Sequence, residues 1–301
     1  MHEPDMPPFN RSDVPKMILM KLRSFCLSIT WLTLFAPFVA AQPNSADGLT
    51  YKTGYSAMMK LGHALYESLD PRDKKLISAQ PISLDVDLAP FTRMMYFPAD
   101  SNEPGAVPLR GVWVSAGFID LVNHVAHAKA IDKIQKGYFQ KYINQLMTET
   151  GEKELRPLPD DGNPKFWTDE MLNEQQSNFN SIVGIVVGIK MAHHTLGHFD
   201  KYKDKLIEKD GAKPLPIEEL ITDNEWEDAY REGLFTSLNA GCFTEGVIPF
   251  YEAFDKMPTR PPWSIYFLPP KAKFAKMKKD FIKFQDDYLA GRLKRQRVSS
   301  K

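Results

Sequence analysis

The sequence predicts a mainly α-helical (α+β) fold with a small β element of about three strands. From residue 117 onward, long stretches carry apolar residues at steps of three and four, which is helical spacing. Between residues 84 and 115, short segments are rich in apolar and β-branched residues and are typical of strands. The 260 residues that follow Ala41 suffice for one large core, so we predict a single domain over residues 42–301.

The predicted elements follow in order along the chain. A polar lead precedes a short amphipathic helix over 55–69, which Asp70-Pro71 ends. The predicted strands are 84–88, 92–97 and 111–115. The predicted elements that follow are a helix over 117–146, a polar linker over 150–165, a helix over 179–206, a helix over 223–241 with Asp223 as its N-cap, a helix over 244–256, an extended Pro-rich segment over 258–270 and a closing helix over 271–293.

The helix over 179–206 is the most apolar of these elements. Its middle, residues 182–189, is almost entirely aliphatic, so we predict that it is buried on most sides. Gly184 and Gly188 are four residues apart, which predicts the close approach of another helix. A membrane span needs about 20 apolar residues, so this stretch is too short to be one.

The amino-terminal residues predict export from the cytoplasm. Lys21 and Arg23 precede a mostly apolar stretch over 24–39, and the small residues Ala40-Ala41 then suit a signal peptidase. We predict a signal peptide over residues 1–41 and a periplasmic or secreted mature protein. The alternative is an N-terminal membrane anchor, although the apolar run is short for a membrane span.

Two further features bear on the predicted export. Residues 1–16 are polar and Pro-rich, which is unusual ahead of a signal peptide and makes Met17 or Met20 an alternative start. Of the two cysteines, Cys26 lies in the predicted signal peptide, so Cys242 would remain alone. No intrachain disulfide is then available in an oxidising compartment, and the core must be held by packing.

Charge excludes one class of partner and leaves another open. Beyond Ala41 the chain has 34 basic and 35 acidic residues, so its overall charge gives no reason to expect nucleic-acid binding. Residues 271–301 hold eleven Lys or Arg against three Asp, on a predicted amphipathic helix over 271–294. This helix either packs on the core with a solvated basic face or contacts an anionic membrane surface or a partner.

One cluster of residues could carry chemistry, the segment His193-His194-Thr195-Leu196-Gly197-His198. On a continuous helix, His194 and His198 would share one face and could bind a metal. The alternative is a pair of histidines that hydrogen bond within a helix bundle. His124 and His127, three residues apart, are either further ligands or ordinary histidines of the bundle.

This segment resembles the His-Glu-x-x-His motif of zincin-type zinc metallopeptidases, in the branch of the CAAX prenyl proteases and HtpX. Residues 112–120 resemble the edge strand and following helix of that family, and residues 225–242 resemble its third-ligand helix. The resemblance implies a zincin-like helical core and a bound Zn²⁺. It implies His194, His198 and Glu225 as zinc ligands, with Asp228 orienting a ligand.

The departures from the family pattern concern catalysis and the third ligand. Thr195 stands where the family has its catalytic Glu, and a hydroxyl cannot act as a general base near neutral pH. Aligning the small residues Ala229 and Gly233 with those of the family puts Trp226 at the third-ligand position. Glu227 is therefore an alternative to Glu225 as ligand.

Two functions remain open at the level of sequence. The first is an exported protein that resembles zinc metallopeptidases, has impaired or no proteolytic activity and can retain a structural zinc site; a peptide or protein would be its partner. The second is a non-enzymatic helical binding or assembly protein of the cell envelope that holds no metal. The sequence contains no nucleophile elbow, phosphate loop or dinucleotide-binding motif that would support another enzyme class.

Overall fold

A three-stranded sheet lies beside a group of helices in the computed structural model, which describes residues 51–99, 107–149, 153–207 and 214–293. The described strands are β1 (Ile82–Asp85), β2 (Thr92–Phe97) and β3 (Leu109–Ser115). The described helices are α1 (Tyr51–Glu67), α2 (Ala116–Asp132), α3 (Tyr138–Leu146), α4 (Asp169–Thr195), α5 (His198–Leu206), α6 (Asp223–Asn239), α7 (Val247–Asp255) and α8 (Phe274–Leu289). The predicted mainly α fold with a small β element is confirmed, whereas the predicted signal peptide over 1–41 lies outside the described residues.

The sheet has the strand order β1-β3-β2. β1 runs parallel to β3, with Ile82 opposite Val112, and β2 runs antiparallel to β3, with Met94 opposite Val112. The strand predicted over 84–88 is shifted to Ile82–Asp85, because the chain turns at Asp85, whose carboxylate accepts the backbone N–H of Asp87. The apolar residues after the turn are exposed, and Val86 is 76% accessible.

The helix predicted over 117–146 is two helices, α2 and α3. Gly137 lies between them with a φ of +86°, a left-handed conformation that ends a helix and that glycine adopts most readily. The apolar spacing continues across this break because both helices bury one face in the same core. Periodicity alone therefore did not reveal the break.

The helix predicted over 179–206 is likewise two helices, and it begins earlier than predicted. The Thr168 side chain accepts the backbone N–H of Met171, so α4 starts at Asp169. Gly197 has a φ of +77° and separates α4 from α5. The two predicted zinc-binding histidines consequently lie on different helices.

Helix α4 is the centre of the molecule and packs against α2 and α6. The predicted close approach of another helix is confirmed, because a Cβ on Gly188 would lie 2.8 Å from the carbonyl oxygen of Gly233 on α6. A Cβ on Gly184 would meet the sulfur of Cys242 at 2.5 Å. Cys242 is a buried free thiol, and burial raises its pKa to about 12.

The carboxyl-terminal helices are shorter than predicted, and the N-cap of α6 differs. Thr222, rather than Asp223, caps α6, and it forms a capping box with Glu225. The helices predicted over 244–256 and 271–293 are Val247–Asp255 and Phe274–Leu289. Within the part of the chain that the structure describes, no helix is both long and apolar enough to span a membrane.

Candidate functional site

The end of α4 directs the two predicted zinc-binding histidines to different partners. The Nε2 atom of His194 lies 2.9 Å from the carbonyl oxygen of Gly111 on β3, and its ring centroid lies 4.8 Å from that of Phe199. His198, on α5, places its Nδ1 atom 3.0 Å from the Nδ1 atom of His193. The structure therefore pairs His198 with His193.

Hydrogen bonding fixes the proton on one of these rings. Because Gly111 offers only a carbonyl oxygen, Nε2 of His194 must donate, and Nδ1 carries the lone pair without a hydrogen-bond partner among the described residues. Burial lowers the pKa of His194 to about 4, and it lowers the pKa of His193 well below the ordinary value. Both rings are consequently neutral near pH 7.

Thr195 occupies the position of the general base in the resembled motif. Its hydroxyl donates to the carbonyl oxygen of Ala192 over 3.2 Å, inside the last turn of α4. A hydroxyl bound in this way neither carries a negative charge near neutral pH nor accepts a proton from water. The position therefore supplies no base for hydrolysis.

Glu225, the predicted third ligand, uses both carboxylate oxygens elsewhere. Oε1 pairs with Lys201 Nζ at 2.7 Å, and Oε2 accepts the backbone N–H of Thr222 at 2.8 Å and the Tyr202 hydroxyl at 2.9 Å. Partial burial raises the pKa of Glu225, but the hydrogen bonds from Lys201 and Thr222 outweigh burial and lower the pKa to about 2. The carboxylate thus joins α5 to the start of α6.

The neighbours of Glu225 on α6 also have other contacts. Trp226 is buried, and its ring centroid lies 6.3 Å from that of His193, which puts an indole beside the histidines. Glu227, the alternative ligand, forms ion pairs with Arg231 and Lys276. Burial lowers the pKa of His198, and the negative charges of Glu225 and Asp228 act in the opposite direction.

The donors in this region do not fit a zinc site in the described arrangement. A zinc ion takes four ligands in tetrahedral geometry, or three protein ligands and water. Across the described residues, no three side chains of His, Cys, Asp or Glu form a group that could hold a metal ion. A site built from His194, His198 and Glu225 would require these residues to leave the partners given above, so the zinc site stays a prediction.

The second histidine pair has separate contacts. His127 Nε2 lies 2.7 Å from the carbonyl oxygen of Phe166, and its ring lies against Trp167 with centroids 4.6 Å apart. His124 packs edge-on against Tyr142. These contacts favour the interpretation that both are histidines of the helix bundle.

Part of the basic face of the closing helix is paired within the protein. Lys273 pairs with Asp223 at 2.5 Å, Lys276 pairs with Glu227, and Lys278 pairs with Glu252. The apolar face buries Phe274, Met277 and Phe281. This arrangement favours a helix packed on the core over a helix that contacts an anionic membrane.

One buried polar group was missed in the sequence. Lys190, in the apolar part of α4, forms an ion pair with Glu218 at 2.5 Å, and both side chains are 3% exposed. A lysine directly after an aliphatic run was the available indication, since a buried lysine needs a partner. The position of Glu218, 28 residues further along, could not be inferred from spacing.

Comparisons with known proteins add no family assignment. No protein-family model, curated protein or solved structure matches the chain. The resemblance to zincin-type metallopeptidases therefore rests on residues 112–120, 192–198 and 225–242 alone.

Proposed function

We propose that this chain is an exported relative of the zincin-type metallopeptidases that does not hydrolyse peptides and acts by binding a peptide or protein. The observation that carries the proposal is Thr195, whose hydroxyl donates to Ala192 within α4 where the family has a catalytic carboxylate. The arrangement of elements is consistent with this lineage, since a β-strand and helix (β3 and α2) precede the histidine helix and α6 follows it.

The lack of a carboxylate in the motif that could act as a general base supports the loss of catalysis. A general base contributes roughly 10²- to 10⁴-fold to a hydrolytic rate. Glu225, the predicted third ligand, does not replace the missing base, because its pKa is lowered to about 2 and it is held by Lys201 and Thr222. A carboxylate that binds protons so weakly is a poor acceptor for the proton of an attacking water.

A peptidase assay tests this function. Purified protein is incubated with casein and added zinc, and the Thr195→Glu variant is the comparison. We expect no cleavage by the wild-type protein. Zinc-dependent cleavage by the wild type that His194→Ala abolishes would overturn the proposal, whereas cleavage gained by Thr195→Glu would support the lineage.

The second candidate is a helical binding protein of the cell envelope with no metal. The contacts of His194 favour this candidate, because its ring packs against Phe199 and its Nε2 donates to the carbonyl oxygen of Gly111. Both candidates lack hydrolytic activity. The two candidates predict different results for the Thr195→Glu variant, which gains activity only if the zinc ligands can still assemble.

A further inference from the structure

A cavity of about 390 Å³ borders β2, the strand at one edge of the described sheet. Its size lies within the range of small-molecule sites, which run from roughly 300 to 1,000 Å³. Residues of β2, α4, α5 and the Pro-rich segment over 258–270 contribute to its walls, among them Arg93, Tyr96, Lys190, Leu206 and Tyr266. The cavity is separate from the histidines at the end of α4, none of which lines it.

Arg93 is held rigidly in the wall of this cavity. Its guanidinium lies between two aromatic rings, 4.2 Å from the centroid of Phe91 and 4.8 Å from that of Tyr266. The backbone of Tyr266 is joined to β2, because its carbonyl oxygen accepts the Thr92 hydroxyl over 2.8 Å. An arginine fixed in this way loses little conformational entropy when an anion binds.

Arg93 lacks the partner that a partly buried guanidinium normally has. Among the described residues no carboxylate lies within ion-pair distance of it, and its Nε is buried without a hydrogen-bond acceptor. Within the described residues, the one side-chain hydrogen bond of Arg93 is long, at 3.4 Å from Nη2 to the Tyr266 hydroxyl. An unpaired buried donor on a cation is costly, so an anion bound here would be stabilised.

The other charges around the cavity leave Arg93 as the cation that an anion would neutralise. Lys190 already has Glu218 as its counter-ion. Burial lowers the pKa of Lys190, Glu218 raises it, and the nearby positive charge of Arg93 lowers it again. Asp85 also lines the cavity, but it lies on β1, on the far side of β3 from Arg93, and accepts the N–H of Asp87.

The remaining walls are mainly apolar and aromatic, and include Met94, Phe97, Trp113 and Leu215. One uncompensated cation within such walls matches a ligand with one negative charge and an apolar body. A planar carboxylate suits the guanidinium geometry, and a dianion would leave one charge unpaired. We propose that this cavity binds a small carboxylic acid with an apolar chain, whose carboxylate pairs with Arg93. This function is independent of the peptidase lineage.

Calorimetric titration with decanoate tests the proposal, with decanol as the uncharged probe of the same chain length. The variants are Arg93→Gln and Arg93→Lys. Arg110→Gln is the matched control, because Arg110 lies on the neighbouring strand, packs against Tyr96 and Phe199, and already pairs with Asp200 at 2.8 Å. A ligand in the cavity should change the fluorescence of Trp113, which lines it, and the Trp113→Phe variant tests whether the change comes from this residue.

We expect decanoate to bind the wild type at least about tenfold more tightly than decanol, because hydrogen bonds to charged groups contribute that much. Arg93→Gln removes this preference, Arg93→Lys retains part of it, and Arg110→Gln keeps it. Trp113→Phe should lose the fluorescence change. Equal affinity for the two probes, no binding of decanoate, or an equal loss in Arg110→Gln would overturn the proposal. If Arg93→Gln does not fold, the wild-type comparison of the two probes and Arg93→Lys decide.

Discussion

Gly197 determines where the histidines of the motif point. Helix α4 ends at Thr195, one residue after His194, and Gly197, with its left-handed φ of +77°, precedes the start of α5 at His198. The i, i+4 relation between these histidines, which a continuous helix would give, is thereby lost. His198 contacts His193 instead, with 3.0 Å between their Nδ1 atoms.

We predict that Gly197→Ala lowers the free energy of unfolding by about 1 kcal/mol, because a Cβ disfavours the left-handed conformation. No atom lies within 4 Å of the added Cβ, so the cost comes from the backbone alone. Gly162 is the control, since an added Cβ there also meets no atom within 4 Å and its φ is not positive. Gly162→Ala should be neutral or slightly stabilising. Urea unfolding measures both variants, and equal stabilities would refute the assigned role of Gly197.

Substitutions at Glu225 and Glu227 distinguish a structural role of the carboxylate from a role as a zinc ligand. Glu225→Ala removes the capping box and the contacts with Lys201 and Tyr202, so we expect a loss of about 1–2 kcal/mol. Glu227→Ala removes exposed ion pairs and should cost less than about 1 kcal/mol. Thermal unfolding with zinc and with EDTA distinguishes the roles. A loss in Glu225→Ala that appears only with zinc would identify a ligand.

At the level of elements, the crossing of α4 and α6 depends on glycine at the contact. A Cβ on Gly233 would lie 2.5 Å from both the Cα and the N of Ile189, which are backbone atoms and cannot move aside. Ser237 adds a hydrogen bond across this contact, from its hydroxyl to the carbonyl oxygen of Gly184 at 2.9 Å. The two helices therefore approach each other at backbone distance.

The Gly233→Ala variant tests this contact by the sign of its effect. In a solvated helix, replacing Gly by Ala stabilises by about 1 kcal/mol. At this crossing we expect the opposite, a loss of about 1–3 kcal/mol or more, because the helices must separate. Equilibrium unfolding in urea gives the answer, and a stabilised variant would show that the helices are not in close contact here.

The elements illustrate which features a sequence pattern can predict. The limits of β2 and the identity of α4 as the buried helix followed from local residue types, since alternation and aliphatic runs report burial directly. The breaks at Gly137 and Gly197 were not predicted, because apolar spacing continues through them. The capping role of Glu225 fits a local pattern, Thr222 followed three residues later by Glu, which the sequence could have provided.

The candidate site shows where local patterns fail. The spacing of His194 and His198 predicts a metal pair only on a continuous helix, and the partner carbonyl of His194 lies 83 residues away in the sequence. The cavity beside β2 combines residues as distant as Arg93 and Tyr266. Such contacts arise from tertiary packing, for which a single sequence carries no spacing rule.

For the molecule as a whole, buried neutral histidines should control acid stability. Burial lowers the pKa of five described histidines, which are His124, His127, His193, His194 and His198. The pKa falls to about 4 for His124 and His194. In the unfolded state these groups titrate at about 6.5, so the unfolded chain binds protons first as the pH falls. Stability is therefore fully present above about pH 6.5 and is lost as the pH falls toward about 4. Glu218, whose pKa burial raises, acts in the opposite direction.

We predict that the free energy of unfolding falls between pH 7 and pH 5 by more than the roughly 1.4 kcal/mol per pH unit that one proton gives. Urea unfolding across this range measures the slope. His194→Gln should flatten it, while His63→Gln should not, because His63 is exposed. A stability that does not change with pH between 7 and 5 would contradict the neutral burial of these rings.

In the described arrangement the residues of the motif are held by other partners, which predicts that they bind no zinc ion. The most direct measurement is the zinc content of purified protein after incubation with zinc and dialysis, compared with a His194→Ala/His198→Ala double variant. We predict that both proteins retain the same small amount of zinc, well below one ion per chain. One zinc ion per wild-type chain, absent from the double variant, would contradict the claim.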